Sequence, residues 1–295
     1  MRRPSTVELM LLTVVLLWAL NLSVTKYVLT HGFQPLSYAT VRYGCAGLVF
    51  VLLTLAVERT LRVERRHAPV LGLAAVILFL NQLCFVFSLD LATASTVGLV
   101  LGSTPIFAAI FGLVRGTERP TQRFWLAAAI SFAGVALVAV GVAGDVSGEF
   151  LGLVLGLCMA ATWAAYSVTI GPLMRVYSPS RTSAIVIPLA WVGIVLVGLP
   201  QTTSQDWDLG TQVWLLMVYA ILGPLVLTNI LWFRSIHRIG ANRATLATNL
   251  QPFVAAVLAV VLLNEPLSWL QIVGGALIAL GILVVRRRAP APQAA

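Results

Sequence analysis

Polar and aromatic side chains recur inside otherwise apolar stretches of this sequence, at spacings that place them on common helix faces. Trp18 and Asn21 share one face of a helix. Trp163 and Tyr166 share the equivalent face of a later helix. Pairs of this kind suit a pocket for an apolar or aromatic group with a few polar anchors. Aromatic side chains that pack in an ordinary core have the same spacing, so both interpretations stay open.

Amide side chains form a second group of candidates. Asn81 and Phe85 align on one helix face, and Gln82 is adjacent. Asn229 lies at the corresponding depth of a later apolar stretch. Because an amide that faces lipid is costly, we expect these residues to face a substrate site.

Two cations also lie within apolar stretches. Arg42 follows Tyr38 by four positions and therefore shares its helix face. An arginine there could hold a carboxylate, so both residues join the candidate substrate-binding set. Lys26 lies nearer a helix end and has either a gating role or a side chain that reaches the membrane surface.

Two helix faces at matching positions end in Pro105 and Pro252. The first face carries small residues and the second carries polar residues. Such faces either let helices approach closely or border a watery cavity. Each proline also leaves a carbonyl four residues earlier, at Leu101 or Thr248, without its helical partner. Those carbonyls could meet a substrate ammonium or be satisfied by neighbouring helices. The hinge or gating candidates are Gly98, Gly102, Pro105 and Pro252, and Thr245 and Asn249 join the substrate-binding candidates.

Motifs for ATP hydrolysis or metal-dependent hydrolysis are absent from the sequence. It contains no Gly-x-x-x-x-Gly-Lys-Ser/Thr and no His-Glu-x-x-His, and Ser103 lacks an intramembrane histidine as a base. Cys45, Cys84 and Cys158 are odd in number and lie in apolar runs, which predicts buried thiols. We therefore expect a non-enzyme with no catalytic residue, cofactor or metal.

Composition points to a membrane protein. Of 295 residues, 59% are hydrophobic and only 10% are charged, which is too little charge for a soluble surface of this size. The apolar runs predict about ten transmembrane helices of roughly 20 residues each. We place them at 8–29, 35–57, 68–89, 92–114, 123–141, 150–173, 182–200, 211–233, 244–263 and 267–285.

The net charge of +9 reflects membrane topology rather than nucleic-acid binding. Seventeen of the 19 lysines and arginines fall in the termini and alternate loops, whereas the intervening loops carry acidic residues. This positive-inside pattern predicts an even number of spans with both termini in the cytoplasm. We expect a multi-pass protein of the bacterial inner membrane, and a monomer.

The two halves of the chain carry matching residues at an offset of 147 positions. Five spans per half is an odd number, so the second half must enter the membrane inverted relative to the first. We assign residues 1–145 to the first repeat, 146–288 to the second and 289–295 to a disordered cytoplasmic tail. The matched pairs are Pro105 and Pro252, Glu118 and Glu265, and Gly134 and Gly281.

Each half has a helix that ends in proline, a glutamate thirteen residues later and a glycine-containing last span. The glutamates lie in Arg-Gly-Thr-Glu118-Arg-Pro and Leu-Leu-Asn-Glu265-Pro-Leu. This pattern resembles the EamA-type branch of the drug/metabolite transporter superfamily and, more generally, YddG-type exporters of aromatic and other amino acids. The resemblance implies that spans 1, 3, 4, 6, 8 and 9 surround a central cavity and that spans 5 and 10 are peripheral.

The expected function is secondary transport. We expect export of small amphiphilic metabolites, above all aromatic or other apolar amino acids, by alternating access of two inverted halves. Because the ten acidic residues fall at span ends or in loops, we expect a uniporter. A proton-coupled drug/metabolite antiporter is the alternative, and a non-transporting membrane scaffold is a weaker one. The expected partners are a small-molecule substrate and the lipid bilayer.

Overall fold

The computed structural model describes residues 6–116, 122–141, 146–239 and 250–286. All regular elements within these ranges are helical, which confirms the all-α prediction for this part of the chain. The α-helices in chain order are α1 (Thr6–Thr30), α2 (Pro35–Glu58), α3 (Ala68–Leu91), α4 (Ala94–Val100), α5 (Thr104–Val114), α6 (Gln122–Gly141), α7 (Val146–Ile170), α8 (Pro179–Ser204), α9 (Gly210–Ile221), α10 (Thr228–Ile239), α11 (Gln251–Leu263) and α12 (Trp269–Arg286).

Eight helical stretches among the described residues are long and apolar enough to cross a membrane. Two shorter apolar helices, Gln251–Leu263 and Trp269–Val284, complete the set. A helix satisfies its own backbone hydrogen bonds, which is why apolar runs of this length are stable in hydrocarbon. The chain is therefore a multi-pass helical membrane protein. The eight stretches are Thr6–Thr30, Pro35–Glu58, Arg65–Leu91, Ala94–Val114, Gln122–Gly141, Gly148–Met174, Pro179–Ser204 and Gly210–Trp232.

Two of the predicted spans are interrupted helices. In span 92–114, a 3₁₀ turn at Leu101–Ser103 separates α4 from α5, just before Pro105. In span 211–233, a π-helical segment at Leu222–Leu227 that contains Pro224 separates α9 from α10. Proline has no backbone N–H and collides with the preceding turn, so both breaks lie where the regular helix cannot continue. The sequence analysis identifies Pro105 at the first break but does not identify Pro224 at the second.

Helix starts follow ordinary capping chemistry. The Ser178 side chain accepts a hydrogen bond from the Arg181 backbone N–H at 3.0 Å, at the start of α8. Thr93 accepts similarly from the Thr96 N–H at 3.2 Å, at the start of α4. These caps satisfy N–H groups that a helix leaves free at its first turn, so they fix where each helix begins.

The most extensive helix contacts are those of α6 with α12, α3 with α7, and α2 with α8. A central apolar core runs through α1, α2, α3, α7, α8 and α9, while α6 and α12 pack around a separate small cluster. The outward faces remain rich in large apolar side chains such as Leu52, Leu196 and Val261. Lipid rather than water suits such faces, since soluble surfaces rarely expose contiguous apolar patches of this kind.

The prediction that all three cysteines are buried is wrong. Cys45 and Cys158 are exposed and Cys84 is partly buried. The first two lie on outward helix faces, where a small apolar side chain contacts lipid as readily as protein. All three thiols are free, as the sequence predicts.

Backbone contact between α6 and α12 depends on glycine. A Cβ atom added to Gly134 would lie 2.5 Å from the Gly274 carbonyl oxygen. A Cβ added to Gly274 would lie equally close, 2.5 Å, to the Gly134 carbonyl oxygen. No real Cβ tolerates such a distance, so these helices can approach this closely only where neither residue has a side chain.

Gly134→Ala should destabilise the protein by roughly 1–3 kcal/mol, because the helices must separate to accept the methyl group. The change in stability is measured by heating the purified protein in detergent and recording the fraction that remains monodisperse. Gly72→Ala is the matched control, since a Cβ on Gly72 would meet nothing within 4 Å. Equal stability of the two variants would show that α6 and α12 do not pack this closely in the membrane protein.

Candidate functional site

A cavity of about 1450 Å³ lies among α1, α2, α3, α5, α7 and α10. Its inner part is lined by residues from the middle of helices, including Trp18, Asn21 and Arg42. It extends to the ends of α7 and α10, where Arg234 and Arg238 contribute to the lining. This volume is ample for a metabolite-sized ligand, since ligand pockets commonly span about 300–1,000 Å³.

The helices around the cavity match the family-implied arrangement of spans. Spans 1, 3, 4, 6 and 8 contribute α1, α3, α5, α7 and α10, and Pro252 of span 9 also lines the cavity. Arg42 and Tyr43 add α2, and Pro179 and Ile187 add α8, two helices that the family-implied arrangement does not place around the cavity. Residues of α6 and α12 do not occur in the described lining, which agrees with a peripheral position.

An aromatic cluster lies in the inner part of the cavity. The Trp18 ring centroid is 5.8 Å from that of Trp163, edge to face, and 5.6 Å from that of Trp232. Trp163 in turn lies 5.7 Å from Tyr166. The Trp18 indole N–H donates to the Pro224 carbonyl at 3.1 Å, which fixes its ring. Aromatic pairs in these geometries attract one another, and their faces and edges suit an apolar or aromatic ligand group.

Two buried amide oxygens in the cavity lining have no hydrogen-bond partner. They are Oδ1 of Asn21 and Oε1 of Gln82. Both side chains are almost fully buried, with 5% and 6% of their surface exposed. An unpaired buried acceptor is costly, so a ligand N–H or a water that reached these oxygens would be stabilised; less than 1 Å² of either oxygen is exposed, so neighbouring side chains must move to admit it.

Asn81 differs from these two because its own hydrogen bonds are satisfied. Its amide N–H₂ donates to the Met159 carbonyl at 2.9 Å and to the Thr162 hydroxyl at 3.1 Å. Its oxygen accepts from the Gln82 amide at 3.1 Å. Asn81 therefore joins α3 to α7 and orients Gln82, which makes it a positioning residue as much as a lining residue.

Arg42 is the one cation in the inner part of the described cavity lining. Its side chain is 5% exposed, and its Nε donates to the Ala220 carbonyl at 3.2 Å. The guanidinium carbon lies 5.8 Å from the Tyr38 ring centroid and 5.2 Å from that of Phe85. Two aromatic faces and one carbonyl thus hold the group, and no carboxylate of the described residues forms a salt bridge with it.

The Leu101 carbonyl, for which the sequence leaves two roles open, already has hydrogen-bond partners in its own span. The Thr104 hydroxyl donates to this carbonyl at 2.7 Å, and the Thr104 backbone N–H also points to it. The 3₁₀ turn therefore satisfies the carbonyl locally. Its counterpart at Thr248 lies outside the described residues.

Most of the predicted site residues meet in this one cavity. Tyr38 does not line it, because its ring is fully buried and its hydroxyl pairs with the Thr25 hydroxyl at 3.0 Å. Gly98 does not line it either and packs against Ala255 of α11. Thr245 and Asn249 lie outside the described residues. The predicted residues in the lining are Trp18, Asn21, Arg42, Asn81, Gln82, Phe85, Gly102, Pro105, Trp163, Tyr166, Asn229 and Pro252.

Sequence reasoning missed several lining residues. Trp232 belongs to the aromatic cluster, and Tyr43 and Pro224 also line the cavity. Pro224 lies 119 positions after Pro105, not at the repeat offset, so the repeat did not point to it. A proline within an apolar stretch next to Gly223 is a local signal for a broken helix, and it would have identified this segment.

Contacts at the opposite end of the molecule from Arg234 and Arg238 close the bundle. Glu265 accepts from the Ala94 N–H at 2.8 Å, the Ser95 N–H at 2.9 Å and the Ser95 hydroxyl at 2.7 Å. Lys26 Nζ donates to the Asp90 carbonyl nearby, at 3.2 Å. A carboxylate at the first turn of a helix is favoured by the free N–H groups and the helix dipole. Glu265 thus ties the α11–α12 connection to α4.

Residues that could bind a metal do not cluster in the described ranges, where no group of three or more His, Cys, Asp and Glu side chains occurs. The arrangement consists instead of aromatic faces, unpaired amide oxygens and one arginine. Groups of these kinds can bind and orient a small organic molecule.

The fold and the cavity define a polytopic helical membrane protein with a central cavity large enough for a small molecule. The EamA-like transporter family model matches residues 5–140 and again residues 150–287. The chain belongs to this family, whose name indicates membrane transport rather than an enzyme class. A membrane setting and a small-molecule substrate follow from that membership.

Curated relatives share the whole length of the chain at low identity. The uncharacterized transporter YyaM of Bacillus subtilis strain 168 is 24% identical over 94% of this chain and 92% of its own length. The probable terminal-alkyne amino-acid exporter of Streptantibioticus cattleyicolor is 26% identical over 92% of this chain and 93% of its own length. One solved crystal structure has the same fold, with a TM-score of 0.68, 22% identity and coverage of 96% of this chain and 97% of that chain.

Glu265→Ala should lower the free energy of unfolding by roughly 1.5–3 kcal/mol, because three donors lose a charged acceptor. Thermal unfolding in detergent measures the loss. Glu64→Ala is the matched control, since that carboxylate is 54% exposed and pairs only with the exposed Arg66. An unchanged midpoint for Glu265→Ala would mean that this carboxylate does not hold the closed end together.

Proposed function

We propose that this protein is a secondary transporter that exports small amphiphilic metabolites, above all amino acids with aromatic or other apolar side chains. One observation carries the proposal: a single cavity holds an aromatic cluster, unpaired amide oxygens and a buried arginine. An apolar side chain fits among Trp18, Trp163 and Trp232, and a polar head group fits toward Asn21 and Gln82. We place the protein in a bacterial inner membrane with both termini in the cytoplasm.

Alternating access of two inverted halves is the proposed mechanism. Support comes from contacts that the 147-residue offset relates to one another. Gly134 meets Gly274 across α6 and α12, and the offset converts this pair into Gly281 and Ala127. A Cβ on Gly281 would lie 2.7 Å from the Ala127 carbonyl, so the related pair is also in backbone contact. Two such halves can exchange conformations and thereby move the opening from one side to the other.

The printed name of one relative agrees with this substrate class. The Streptantibioticus cattleyicolor protein is a probable terminal-alkyne amino-acid exporter, and it aligns with nearly all of this chain. At 26% identity the name does not transfer by itself, so the cavity chemistry carries the substrate proposal. A ligand with an apolar side chain and an amino-acid head group agrees with the cavity lining and with the name of this relative.

Uniport is the proposed form of energy coupling. No aspartate or glutamate of the described residues lines the cavity. Asp90 lies in the last turn of α3 and Glu265 in the connection between α11 and α12. A proton-coupled antiporter, the alternative, commonly places a carboxylate where proton and substrate can compete for it. The substrate's own gradient would therefore set the direction, with export when the cytoplasmic concentration is high.

Proteoliposomes that contain the purified protein should support counterflow of phenylalanine or leucine without an ion gradient. Trp163→Ala should raise the half-saturating concentration for phenylalanine about tenfold, because loss of an aromatic contact costs about 1.5 kcal/mol. Trp125→Ala is the matched control, as its ring lies 49% exposed on α6 and away from the cavity. Uphill accumulation driven only by an imposed pH gradient would contradict uniport, and no counterflow by any amino acid would contradict the proposed function.

Cysteine labelling should place the loop at Asp206 outside the cell and the loop at Arg62 inside it. Both side chains are exposed, and the positive-inside rule assigns the arginine-rich loop to the cytoplasm. The assay uses Asp206→Cys and Arg62→Cys in a background without the three native cysteines. A membrane-impermeant maleimide should label only position 206 in intact cells, and both positions after permeabilisation. The reverse pattern would invert the proposed topology.

A further inference from the structure

The buried guanidinium of Arg42 lacks a compensating anion in the part of the chain that the structure describes. Its only hydrogen bond there is from Nε to the neutral Ala220 carbonyl, and no Asp or Glu lies within salt-bridge distance. A buried charge without a partner is strongly unfavourable, more so in a membrane protein. The lining position of Arg42 leaves its remaining N–H groups to the cavity.

Proline at position 224 explains why the Ala220 carbonyl can hold Arg42. In a regular helix this carbonyl would accept from the N–H four residues later, but Pro224 has none. The surrounding Leu222–Leu227 segment is π-helical, a form that often marks functional sites. Nε of Arg42 occupies the carbonyl instead, at 3.2 Å. The Tyr38 and Phe85 rings flank the guanidinium and fix its plane.

Asn21 of α1 and Arg42 of α2 both line the cavity. The Thr25 hydroxyl meets the Tyr38 hydroxyl at 3.0 Å, which places these two positions at the same depth. Because α1 and α2 run in opposite directions, Asn21 and Arg42, each one turn further along, also lie at similar depths. The unpaired Oδ1 of Asn21 therefore lies at the same depth as the guanidinium.

Gln82 reaches the same region from α3. It precedes Phe85 by three positions, so the two share a helix face. Phe85 itself contacts the guanidinium, with its ring centroid 5.2 Å from the central carbon. The unpaired Oε1 of Gln82 is a second acceptor among the residues that line the cavity. A lining that contains a cationic donor and two unpaired acceptors is complementary to a carboxylate next to an ammonium.

We propose that Arg42 is a carboxylate-binding site that the Pro224-freed carbonyl of Ala220 holds in place. This inference rests on the proposed function and narrows the substrate class: a ligand with a carboxylate binds more tightly than an amine of the same shape that lacks one. The terminal nitrogens of Arg42 bind the carboxylate, while Asn21 and Gln82 accept from an adjacent ammonium. Ala220 is a positioning residue, since it acts through Arg42 and does not line the cavity, and Pro224 acts on Arg42 by leaving that carbonyl free.

Three probes of equal ring size separate the contributions: phenylalanine, 3-phenylpropionate, which lacks the ammonium, and phenethylamine, which lacks the carboxylate. Binding to the purified full-length protein is followed by calorimetry or by tryptophan fluorescence. Wild-type protein should bind both carboxylates more tightly than phenethylamine. Arg42→Gln should weaken the binding of phenylalanine and of 3-phenylpropionate by about tenfold or more. Binding of phenethylamine should not weaken.

Pro224→Ala tests the positioning role. The new N–H can pair with the Ala220 carbonyl and compete with Arg42, so carboxylate binding should weaken by a few fold while phenethylamine binding does not. Arg42→Lys should fall between wild type and Arg42→Gln, because lysine keeps the charge but not the planar fork. Arg66→Gln is the matched control, since that side chain is 73% exposed and does not belong to the cavity lining. Monodispersity and unfolding midpoint of each variant are measured alongside.

Equal weakening of all three probes by Arg42→Gln would overturn the inference and leave Arg42 as a clamp between α2 and α9. Tighter binding of phenethylamine than of either carboxylate by wild-type protein would overturn it as well, as would failure of both carboxylates to bind. If Arg42→Gln does not fold, Arg42→Lys and Pro224→Ala carry the same comparison. The proposed function fails separately, through absence of amino-acid counterflow, whereas these results concern only how the head group is recognised.

Discussion

Backbone hydrogen bonding inside hydrocarbon is the constraint on which the rest of this structure depends. A helix satisfies it everywhere except at its ends and at prolines, where a carbonyl loses its donor. A different side chain donates a hydrogen bond to the free carbonyl at each described break. Thr104 donates to the Leu101 carbonyl, and Arg42 donates to the Ala220 carbonyl. Trp18 donates to the carbonyl of Pro224 itself. All three donors line the cavity, so the breaks also determine where the polar chemistry lies.

The cavity combines features that would each be unfavourable in a plain membrane core. An unpaired amide oxygen, a buried guanidinium and a proline-interrupted helix all cost free energy when nothing compensates them. Their occurrence together around one space is the physical argument for a ligand, because one bound molecule can satisfy several of them. The aromatic cluster alone would not carry this argument, since Trp18, Trp163 and Trp232 also pack well against one another.

The helices farthest from the cavity have a different character. Contact between α6 and α12 is made by glycine and alanine backbones, without polar side chains facing a cavity. Glycine contacts of this kind bring helices close and make them rigid with respect to each other. The helices around the cavity meet through larger side chains and through hydrogen bonds such as that of Asn81 to the Met159 carbonyl. Such contacts can rearrange more readily than interlocked backbones, which is consistent with movement around the cavity rather than at α6 and α12.

The sequence by itself determined the helical class, the membrane setting and most of the candidate lining residues. The length of a hydrophobic run and the free-energy cost of a polar group inside the membrane depend on local sequence, so both can be judged without a structure. It left two roles open for the Leu101 carbonyl and grouped Tyr38 with the lining residue Arg42, because spacing shows that residues share a face but not which neighbour the face meets. The inverted repeat and its domain boundaries stay predictions.

Only the tertiary structure decided that Trp232 joins the aromatic cluster, that Asn81 is already paired, and that Arg42 donates to the Ala220 carbonyl. That last contact joins residues 178 positions apart, and such long-range pairings depend on how whole helices pack.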